Sequence, residues 1–371
     1  MSNTRVAIVH ERFTEIAGSE LVVEQLAMQW PDAAVHVPLA NPSAVPVGLS
    51  APPVTTWLDA GYRMLGQRSY APLAPALPRA FRGMQLGDVD VVVASHHAFA
   101  TQVAFATEAP VIAYVHSPAR WAWDRELRAQ ESGGAAGAAV LAGLSRVARN
   151  GELAAVGRLH RVIANSTAVA DRIDRWWGRE ATVVHPPVDT DGYCPDSSVE
   201  REDFFLLAGR LVPYKRPDLA IRAAKLAGKR LVVAGDGRAM GACRELAGPD
   251  TVFLGRVTHQ ELLNLYRSAK AVLMPGVEDF GIVPVEAMAT GTPVIALGAG
   301  GAVDTVVPER SGFLVAAGND DEVVGGFAAA MQAFRPTDYH HGEVRAWAEG
   351  FSRENFRSQM RGVVEGVLAT A

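Results

Sequence analysis

The sequence predicts an α/β protein made of two Rossmann-like domains, whose parallel sheets face each other across a cleft. Its 371 residues exceed what a single hydrophobic core usually holds. Short apolar runs alternate with helical patterns through both halves, which is typical of parallel strands joined by crossover helices. Between the halves, Pro186-Pro187 precedes a polar stretch, as at a domain boundary. We therefore expect domains over residues 1–187 and 200–350, with a linker over residues 188–199.

In the first half, the strands are predicted from short apolar runs rich in Val, Ile and Ala. These runs are Arg5–His10, Ala34–Pro38, Val54–Leu58, Val89–Ser95, Val111–His116, Val162–Ala164 and Thr182–His185. Helices are predicted from the helical patterns between them, over Ser19–Trp30, Gln67–Phe81 and Ala168–Trp177. The Ala/Gly-rich stretch Gly133–Gly143 fits either a mobile loop or a helix of small residues.

The second half repeats the same alternation. Its predicted strands are Phe204–Gly209, Arg230–Ala234, Val252–Leu254, Ala271–Met274, Val294–Ala296 and Phe313–Val315. Its predicted helices are Pro217–Leu226, His259–Ser268, Pro284–Thr290 and Asp321–Phe334.

Composition excludes several classes of protein. The net charge of −5 argues against broad nucleic-acid binding, and 49% hydrophobic with 20% charged residues is ordinary for a soluble globular protein. Cys194 and Cys243 lie far apart and outside any metal-ligand spacing, which favours a reducing compartment. No signal-like segment opens the sequence and no apolar run reaches the roughly 20 residues that span a bilayer, so we expect a cytoplasmic protein.

The most informative segment is Glu278–Ala287, where two carboxylates lie eight positions apart across a predicted strand-to-helix turn. Pro284 suits the first turn of a helix. Glu278 would then stand at the carboxyl end of a strand and Glu286 two turns deeper. The amides of Gly281–Val283 at the helix start favour an anion between the two acids. On spacing alone, an ordinary acidic cap and a surface glutamate fit equally well.

A second segment, Gly209–Lys215, places two cations after a strand that ends in glycine. An Arg fork and a Lys point charge form an efficient clamp for a diphosphate. The same pair stabilises charge that develops on a leaving phosphate. Ligands of open α/β sheets bind at the carboxyl ends of strands, which is where Arg210 and Lys215 are expected. Seen alone, the pair also fits a solvated basic loop.

With these segments in place, the sequence resembles the retaining family-four glycosyltransferases, which have the GT-B fold. The resemblance rests on Glu278–Ala296, on Gly209-Arg210-Leu211 with Lys215, on Gly18-Ser19-Glu20 and on His116-Ser117-Pro118, in the expected order. It spans nearly the whole chain. One departure is Asp279, where the family commonly has glycine after its first glutamate.

The resemblance implies a role for each matching residue. The first domain would bind the acceptor, the second would bind the nucleotide sugar, and a last helix over residues 353–371 would cross back to the first domain. Glu286 would bond the ribose hydroxyls, and Glu278 would lie near the transferred sugar. The implied site residues are, as catalytic groups, His116, Glu278, Arg210 and Lys215, and, as donor-binding groups, Gly18, Arg210, Lys215, Phe280, Gly281, Ile282, Val283 and Glu286.

His116 ends a predicted strand, so its imidazole could reach a bound sugar, although it could equally be satisfied by loop backbone. Arg120 and Trp121 would line the same sugar site as His116. Ser19 is predicted to cap the following helix or to contact the acceptor. Trp121 and Trp123 fit the core as well as a sugar ring. Retaining transferases of this fold are usually read as front-face displacement, in which the leaving phosphate deprotonates the acceptor. No cofactor and no metal are expected.

Other motifs carry less weight. Asp88-Val89-Asp90 and Asp189-Thr190-Asp191 fit a metal-binding Asp-x-Asp pattern, but one leads into a buried strand and the other lies in the linker. His96-His97 lacks a third ligand at a sensible spacing. No Gly-x-Gly-x-x-Gly follows the first strand, which argues against a nicotinamide cofactor.

Arginines alternate with apolar residues over residues 63–82, which allows peripheral contact with the inner face of an anionic membrane. A helix packed on its own domain fits this segment better, because three prolines interrupt it.

The sequence leaves alternatives for the sugar donor and for the class of reaction. The sequence of Tyr114–Asp124 resembles mannosyltransferases of surface-polysaccharide assembly. GDP-mannose is therefore the first donor predicted, with UDP-glucose or UDP-GlcNAc as the alternative. The acceptor would be a hydroxyl of a glycan, a lipid-linked glycan or a small molecule. A nucleotide-sugar epimerase and a noncatalytic nucleotide-sugar sensor are the rival classes.

Overall fold

The computed structural model describes residues 4–124, 128 and 134–370. The chain divides into two compact units. Unit 1 comprises Met1–Pro187 and Glu354–Ala371, and unit 2 comprises Val188–Arg353. Residues 188–199, predicted as a linker, belong to unit 2, where Val188 and Tyr193 lie in the hydrophobic core.

The described residues of unit 1 form a seven-stranded parallel sheet in the order β3-β2-β1-β4-β5-β6-β7. Its strands are β1 (Val6–His10), β2 (Ala34–Val37), β3 (Val54–Thr55), β4 (Val91–His96), β5 (Val111–Val115), β6 (Arg161–Ala164) and β7 (Thr182–Val183). Its helices are α1 (Gly18–Gln29), α2 (Leu58–Met64), α3 (Leu77–Arg82), α4 (Arg120–Trp123), α5 (Gly134–Val156), α6 (Thr167–Trp177) and α14 (Arg353–Leu368). Short 3₁₀ turns cover Pro42–Ala44, Ala71–Ala76 and Ala100–Phe105.

The two faces of this sheet bury different cores, because successive side chains of a strand point to opposite sides. One core includes Ala7, Val9 and Val92 with α3 and α6. The other includes Ile8 and Val93 with α1 and the last helix, α14. The predicted return of the C-terminal helix to the first domain is therefore confirmed.

The predicted helix Gln67–Phe81 is wrong. The chain instead forms α2, a 3₁₀ turn over Ala71–Ala76 and α3. Pro72, Pro75 and Pro78 explain the break, because proline lacks an amide hydrogen and is tolerated only near a helix start. The Ala/Gly-rich stretch falls in α5 from Gly134 onward, while Gly133 lies outside the described residues.

Unit 2 contains a six-stranded parallel sheet in the order β10-β9-β8-β11-β12-β13. Its strands are β8 (Phe205–Ala208), β9 (Leu231–Ala234), β10 (Thr251–Gly255), β11 (Ala271–Met274), β12 (Val294–Leu297) and β13 (Gly312–Val315). Its helices are α7 (Pro217–Ala227), α8 (Met240–Leu246), α9 (His259–Ser268), α10 (Ile282–Ala289), α11 (Ala302–Thr305), α12 (Asp320–Ala333) and α13 (His341–Glu349). Short 3₁₀ turns cover Pro213–Lys215 and Pro336–Asp338.

Both sheets have a topological switch point, where the strand order changes direction. In unit 1 it lies between β1 and β4, and in unit 2 between β8 and β11. Open α/β sheets bind ligands outside the carboxyl ends of strands at such a point. The loops that follow these four strands are therefore the first places to look for a site. Among the described residues, no helix combines the length and apolar character needed to cross a bilayer.

Candidate functional site

The switch point of unit 2 brings the loops after β8 and β11 into contact. Gly209 follows β8 and has a φ of 123°. A Cβ on Gly235, which follows the neighbouring strand β9, would overlap the Gly209 carbonyl oxygen. A Cβ on Gly276 would lie 2.5 Å from the backbone oxygen of Lys215. Glycine is required here because two backbones pass too close for a side chain.

Lys215 and Glu278 form an ion pair in this contact. Lys215 Nζ lies 2.8 Å from Glu278 Oε1, and the two side chains are 20% and 23% exposed. Arg210 is exposed beside them and donates to the Tyr214 hydroxyl at 3.5 Å. All three charged residues line one small cavity together with Gly209 and Gly276. The structure thus brings together the two predicted cations and the first predicted acid.

The start of α10 closes the same cavity. Gly281 precedes the helix with φ of 89°, and a Cβ there would lie 2.7 Å from the Met274 methyl carbon. Pro284 falls in the first turn as predicted, and Val283 and Pro284 line the cavity. The first amides of a helix have no intrahelical acceptor and attract anions. Phe280 buries its ring against Phe351, so only its backbone is available to a ligand.

Glu286 lies one turn further along α10 and is half-buried, but it is not among the residues that line the cavity. The Tyr266 hydroxyl donates to its Oε2 at 3.1 Å. Burial raises the pKa of Glu286 to about 7, while hydrogen bonds from Tyr266 and Tyr193 and the charge of Lys215 act in the opposite direction. The carboxyl group can therefore exchange a proton near neutral pH. Sequence reasoning missed Tyr266, whose position in α9 carries no local signal of this contact.

The switch point of unit 1 holds a buried polar layer around His116. The imidazole is 8% exposed, and its Nε2 lies 2.8 Å from Ser95 Oγ at the end of β4. It stacks on the His97 ring with centroids 4.5 Å apart. Burial, together with the neighbouring histidines, lowers the pKa of His116 well below its ordinary value. His116 is therefore a neutral imidazole at physiological pH.

The prediction that Ser19 caps α1 is wrong. The helix starts at Gly18, so Ser19 is its second residue and donates its hydroxyl to Glu20 Oε2 at 2.9 Å. Glu20 also accepts from the Ala17 amide, and it lies near His10 in the buried layer. Burial opposes ionisation, yet the hydrogen bonds from His10 and Ser19 lower the pKa of Glu20 to about 2.

The tryptophans after β5 pack against the core of unit 1 and stay partly exposed. Trp121 packs near Phe99, with ring centroids 6.4 Å apart, and Trp123 stacks on Trp176. The indole nitrogen of Trp123 donates to the buried Glu152. Arg120 opens the short helix α4 and is partly exposed.

Glu152 and Glu11 hold the rest of this layer together. Glu152 also accepts from Trp177 and from His96 at 3.1 Å. Glu11 Oε1 accepts from the four consecutive amides of residues 97–100. Burial opposes the charge of Glu11, but His96 and these amides lower its pKa to about 2. Sequence reasoning missed both acids, whose only local signal is their charge within apolar segments.

Three of the four acids in the Asp-x-Asp motifs have structural partners. Asp88 and Asp90 both bind Arg5, and Asp189 Oδ1 lies 3.1 Å from Arg353. Across the part of the chain that the structure describes, no three His, Cys, Asp or Glu residues are grouped as they would be around a metal ion.

Comparison with known families follows the division of the chain. Residues 16–191 match Glycosyltransferase Family 4, and residues 196–333 match Glycosyl transferases group 1. The D-inositol 3-phosphate glycosyltransferase of Mycobacteroides abscessus is 35% identical over 189 residues, which cover 44% of this chain and 43% of that relative. The protein of the same name from Mycolicibacterium smegmatis is 35% identical over 193 residues, 44% of each chain. These matches span less than half the length of the relatives.

Solved structures resemble the chain along its whole length. HepE from Anabaena, crystallised with UDP, has a TM-score of 0.70 at 19% identity and covers 98% of this chain and 100% of its own. Sucrose-phosphate synthase from Thermosynechococcus elongatus has a TM-score of 0.74 at 18% identity and covers 99% of this chain and 100% of its own. At such identities the likeness establishes the fold. The chain therefore consists of a glycosyltransferase family 4 domain followed by a group 1 glycosyl transferase domain, the two Rossmann-like domains of the GT-B fold.

Proposed function

We propose that the protein is a glycosyltransferase that moves a hexose from a nucleotide diphosphate sugar to a hydroxyl of an acceptor. The observation that carries the proposal is the convergence of Arg210, Lys215 and Glu278 on one cavity at the start of α10. Two cations and helix-start amides suit a diphosphate, and an acid beside them suits the hydroxyls of the attached sugar. Unit 2 is thus the proposed donor-binding domain.

The same cations would stabilise the leaving diphosphate. As the bond to the sugar breaks, negative charge grows on the phosphate oxygen, and donors already held in place stabilise it without reorganising. Lys215 is held at this position by Glu278 and by the close approach of Gly276. Arg210, Lys215 and the amides would supply the positive charge, so we propose that transfer requires no metal.

Glu278 is proposed to orient the sugar or stabilise positive charge on its ring. Its carboxylate shares an ion pair with Lys215, which lowers its power as a nucleophile. This supports a retaining front-face reaction, in which the leaving phosphate takes the proton of the acceptor hydroxyl. Glu286 is proposed to accept hydrogen bonds from the ribose hydroxyls of the donor.

The proposed donor is a UDP-sugar. HepE, whose fold this chain shares, was solved with UDP-glucose as well as with UDP. A second structure of similar fold is described as an O-GlcNAc transferase in complex with UDP and GlcNAc. GDP-mannose, the donor first predicted from the residues around His116, is the competing proposal.

Unit 1 is the proposed acceptor-binding domain, with His116, Ser19, Arg120 and Trp121 as candidate contacts. The relatives named for D-inositol 3-phosphate support a small hydroxylated acceptor. Peripheral membrane contact is a separate proposal that rests on α2 and on Trp57 just before it: Trp57 and Met64 are 61% and 88% exposed, and the exposed Arg63 pairs with Asp59. Arginine and exposed apolar groups on one short helix suit an anionic lipid surface.

A donor panel tests the function. The melting temperature of the protein is measured with GDP, UDP, ADP and their common sugars, because a ligand that binds only the folded state raises it. The donor that raises it is then incubated with inositol phosphates and oligosaccharides, and the products are separated by mass. Transfer that keeps the anomeric configuration supports the proposal. Conversion of the free nucleotide sugar without an acceptor would show an epimerase, and binding without any reaction would show a sensor.

A further inference from the structure

Four buried side chains of unit 1 form a continuous hydrogen-bonded chain that ends at His116. Glu20 Oε1 lies 3.4 Å from His10 Nε2, His10 Nδ1 lies 3.0 Å from Ser95 Oγ, and Ser95 Oγ lies 2.8 Å from His116 Nε2. These residues come from α1 and from the carboxyl ends of β1, β4 and β5. Each is at most 8% exposed, so water cannot easily replace any of these contacts.

Matching donors to acceptors fixes the hydrogens along this chain. Glu20 is ionised and can only accept, so His10 must carry its hydrogen on Nε2. A neutral His10 then has a bare Nδ1, which accepts the hydroxyl hydrogen of Ser95. Having given its hydrogen to His10, Ser95 can only accept from His116. His116 must therefore carry its hydrogen on Nε2, which leaves Nδ1 bare.

We propose that Glu20, His10 and Ser95 are positioning residues that hold His116 in its Nε2–H tautomer. His116 then presents Nδ1 as an acceptor for a hydroxyl of the sugar or of the acceptor substrate. Within the described part of the chain, no residue hydrogen-bonds to that Nδ1. The substrate part of this inference rests on the proposed function, whereas the tautomer itself does not.

One proton on His10 would reverse the chain. His10 Nδ1–H would then donate to Ser95, Ser95 would donate to His116 Nε2, and the neutral His116 would carry its hydrogen on Nδ1. His116 would change from an acceptor to a donor although it had gained no charge itself. In that state His116 would no longer accept a hydroxyl hydrogen.

Titratable and charged groups surround His10 on several elements. From α1 it faces the ionised Glu20, and from beyond β4 it faces His97, whose ring lies edge-on at 6.3 Å. Burial lowers the pKa of His97 to about 4, so this neighbour is neutral at physiological pH. Glu11 and Arg12 follow His10 on its own segment with opposite charges. His96 lies on the other face of β4, paired with Glu152.

Nitrogen NMR tests the inference without any assay of transfer. The protein is labelled with ¹⁵N at histidine, and long-range ¹H–¹⁵N correlations are recorded from pH 5 to 9. The His116 signals are assigned as those that disappear in His116→Asn. The wild type is expected to show His116 with a protonated Nε2 and a bare Nδ1 above neutral pH. A wild-type His116 protonated on Nδ1 throughout would overturn the inference.

A variant pair separates the chain from general packing. Ser95→Ala should give a mixture of His116 tautomers and lower kcat/KM by roughly tenfold, the change that a loss of about 1.4 kcal/mol in transition-state stabilisation produces. Thr101→Val removes another buried hydroxyl of the same layer, one that has no hydrogen-bond partner, and should leave the His116 tautomer unchanged. A His116 tautomer that is unchanged in Ser95→Ala would contradict the inference. If Ser95→Ala fails to fold, the wild-type spectra decide alone.

The two proposals can fail separately. An Nε2–H His116 in a protein that transfers no sugar would uphold the positioning chain and overturn the proposed function. A transferring enzyme whose His116 is Nδ1–H at high pH would do the opposite.

Discussion

Lys215 Nζ lies 2.8 Å from Glu278 Oε1, although the two residues come from loops that follow different strands. The contact depends on parallel pairing of β8 with β11, which places the carboxyl ends of both strands at one edge of the sheet. The lysine is thereby held over the cavity rather than extended into solvent. Its position explains why a basic loop and an acidic turn belong to one candidate site.

Replacing Lys215 should reduce turnover strongly and leave folding nearly unchanged. Lys215→Ala removes a fixed cation from the proposed diphosphate site, and loss of one preorganised donor commonly costs about 10²–10³-fold in kcat. Steady-state rates at saturating donor provide the measurement. Lys225→Ala, an exposed lysine on α7, is the matched control and should retain full activity. A Lys215→Ala enzyme as fast as the control would remove the clamp from the mechanism.

The raised pKa of Glu286 should make folding stability depend on pH. The folded protein keeps the Glu286 proton up to about pH 7, whereas an ordinary glutamic acid loses it near 4.5. The unfolded state thus binds fewer protons between these values, so stability should fall as pH rises from about 4.5 to 7. At about 1.4 kcal/mol for each pKa unit, the total is at most roughly 3.5 kcal/mol.

Glu286→Gln isolates this contribution. The free energy of unfolding is measured with urea at pH 5 and pH 8 for both proteins, and the pH dependence of the wild type should exceed that of the variant. Tyr266→Phe removes a hydrogen bond that lowers the pKa of Glu286, so it should extend the window to higher pH. Equal pH dependence in wild type and Glu286→Gln would show that the carboxyl group titrates normally.

Gly276 should tolerate no side chain. A Cβ there would meet the backbone oxygen and carbonyl carbon of Lys215 at 2.5 and 2.7 Å. Gly276→Ala should therefore destabilise unit 2 by about 1–3 kcal/mol and displace Lys215 from Glu278. Gly241→Ala is the matched control, because nothing lies within 4 Å of its Cβ on α8. Thermal unfolding and kcat of the two variants check this, and indistinguishable values would contradict it.

The last helix should be essential to unit 1. Phe356 of α14 is 2% exposed and packs edge-on to Tyr114 of β5, with ring centroids 5.6 Å apart. Phe356→Ala should cost about 3–5 kcal/mol, the usual range for a buried phenylalanine. The same substitution at Phe313, which is 45% exposed, should cost far less. Denaturant titrations of both variants make the comparison, and similar midpoints would argue against the packing of α14.

The sequence was informative where a residue's role depends on its neighbours along the chain. Buried strands such as β4 and β11 are continuous apolar runs, and the loops at Gly209–Lys215 and Glu278–Glu286 carry their chemistry locally. Parallel topology then brings these loops to one edge, so the site of unit 2 could be anticipated.

Contacts between distant residues could not be anticipated in the same way. Glu152 accepts hydrogen bonds from Trp123 and Trp177 near the C-terminal end of α5, and nothing in its own segment identifies these partners. Ser95 appears in the sequence as the polar end of a strand, whereas its role depends on β1 and β5 lying on either side of β4. Ser19 was misassigned because Glu20 instead accepts the Ala17 amide at the start of α1.

The return of α14 to unit 1 affects how the chain is made. Ribosomes synthesise unit 2 in full after residue 187 and before the helix that covers Ile8 and Val93. At roughly 5–20 residues per second, the part of this face that α14 covers stays exposed for roughly 10–30 s, although α1 already packs on the same face. During that time the nascent protein exposes apolar surface that is buried in the folded unit. Fast, autonomous folding of residues 188–353 would shorten the exposure, because α14 could then reach that face without an unfolded segment in the way.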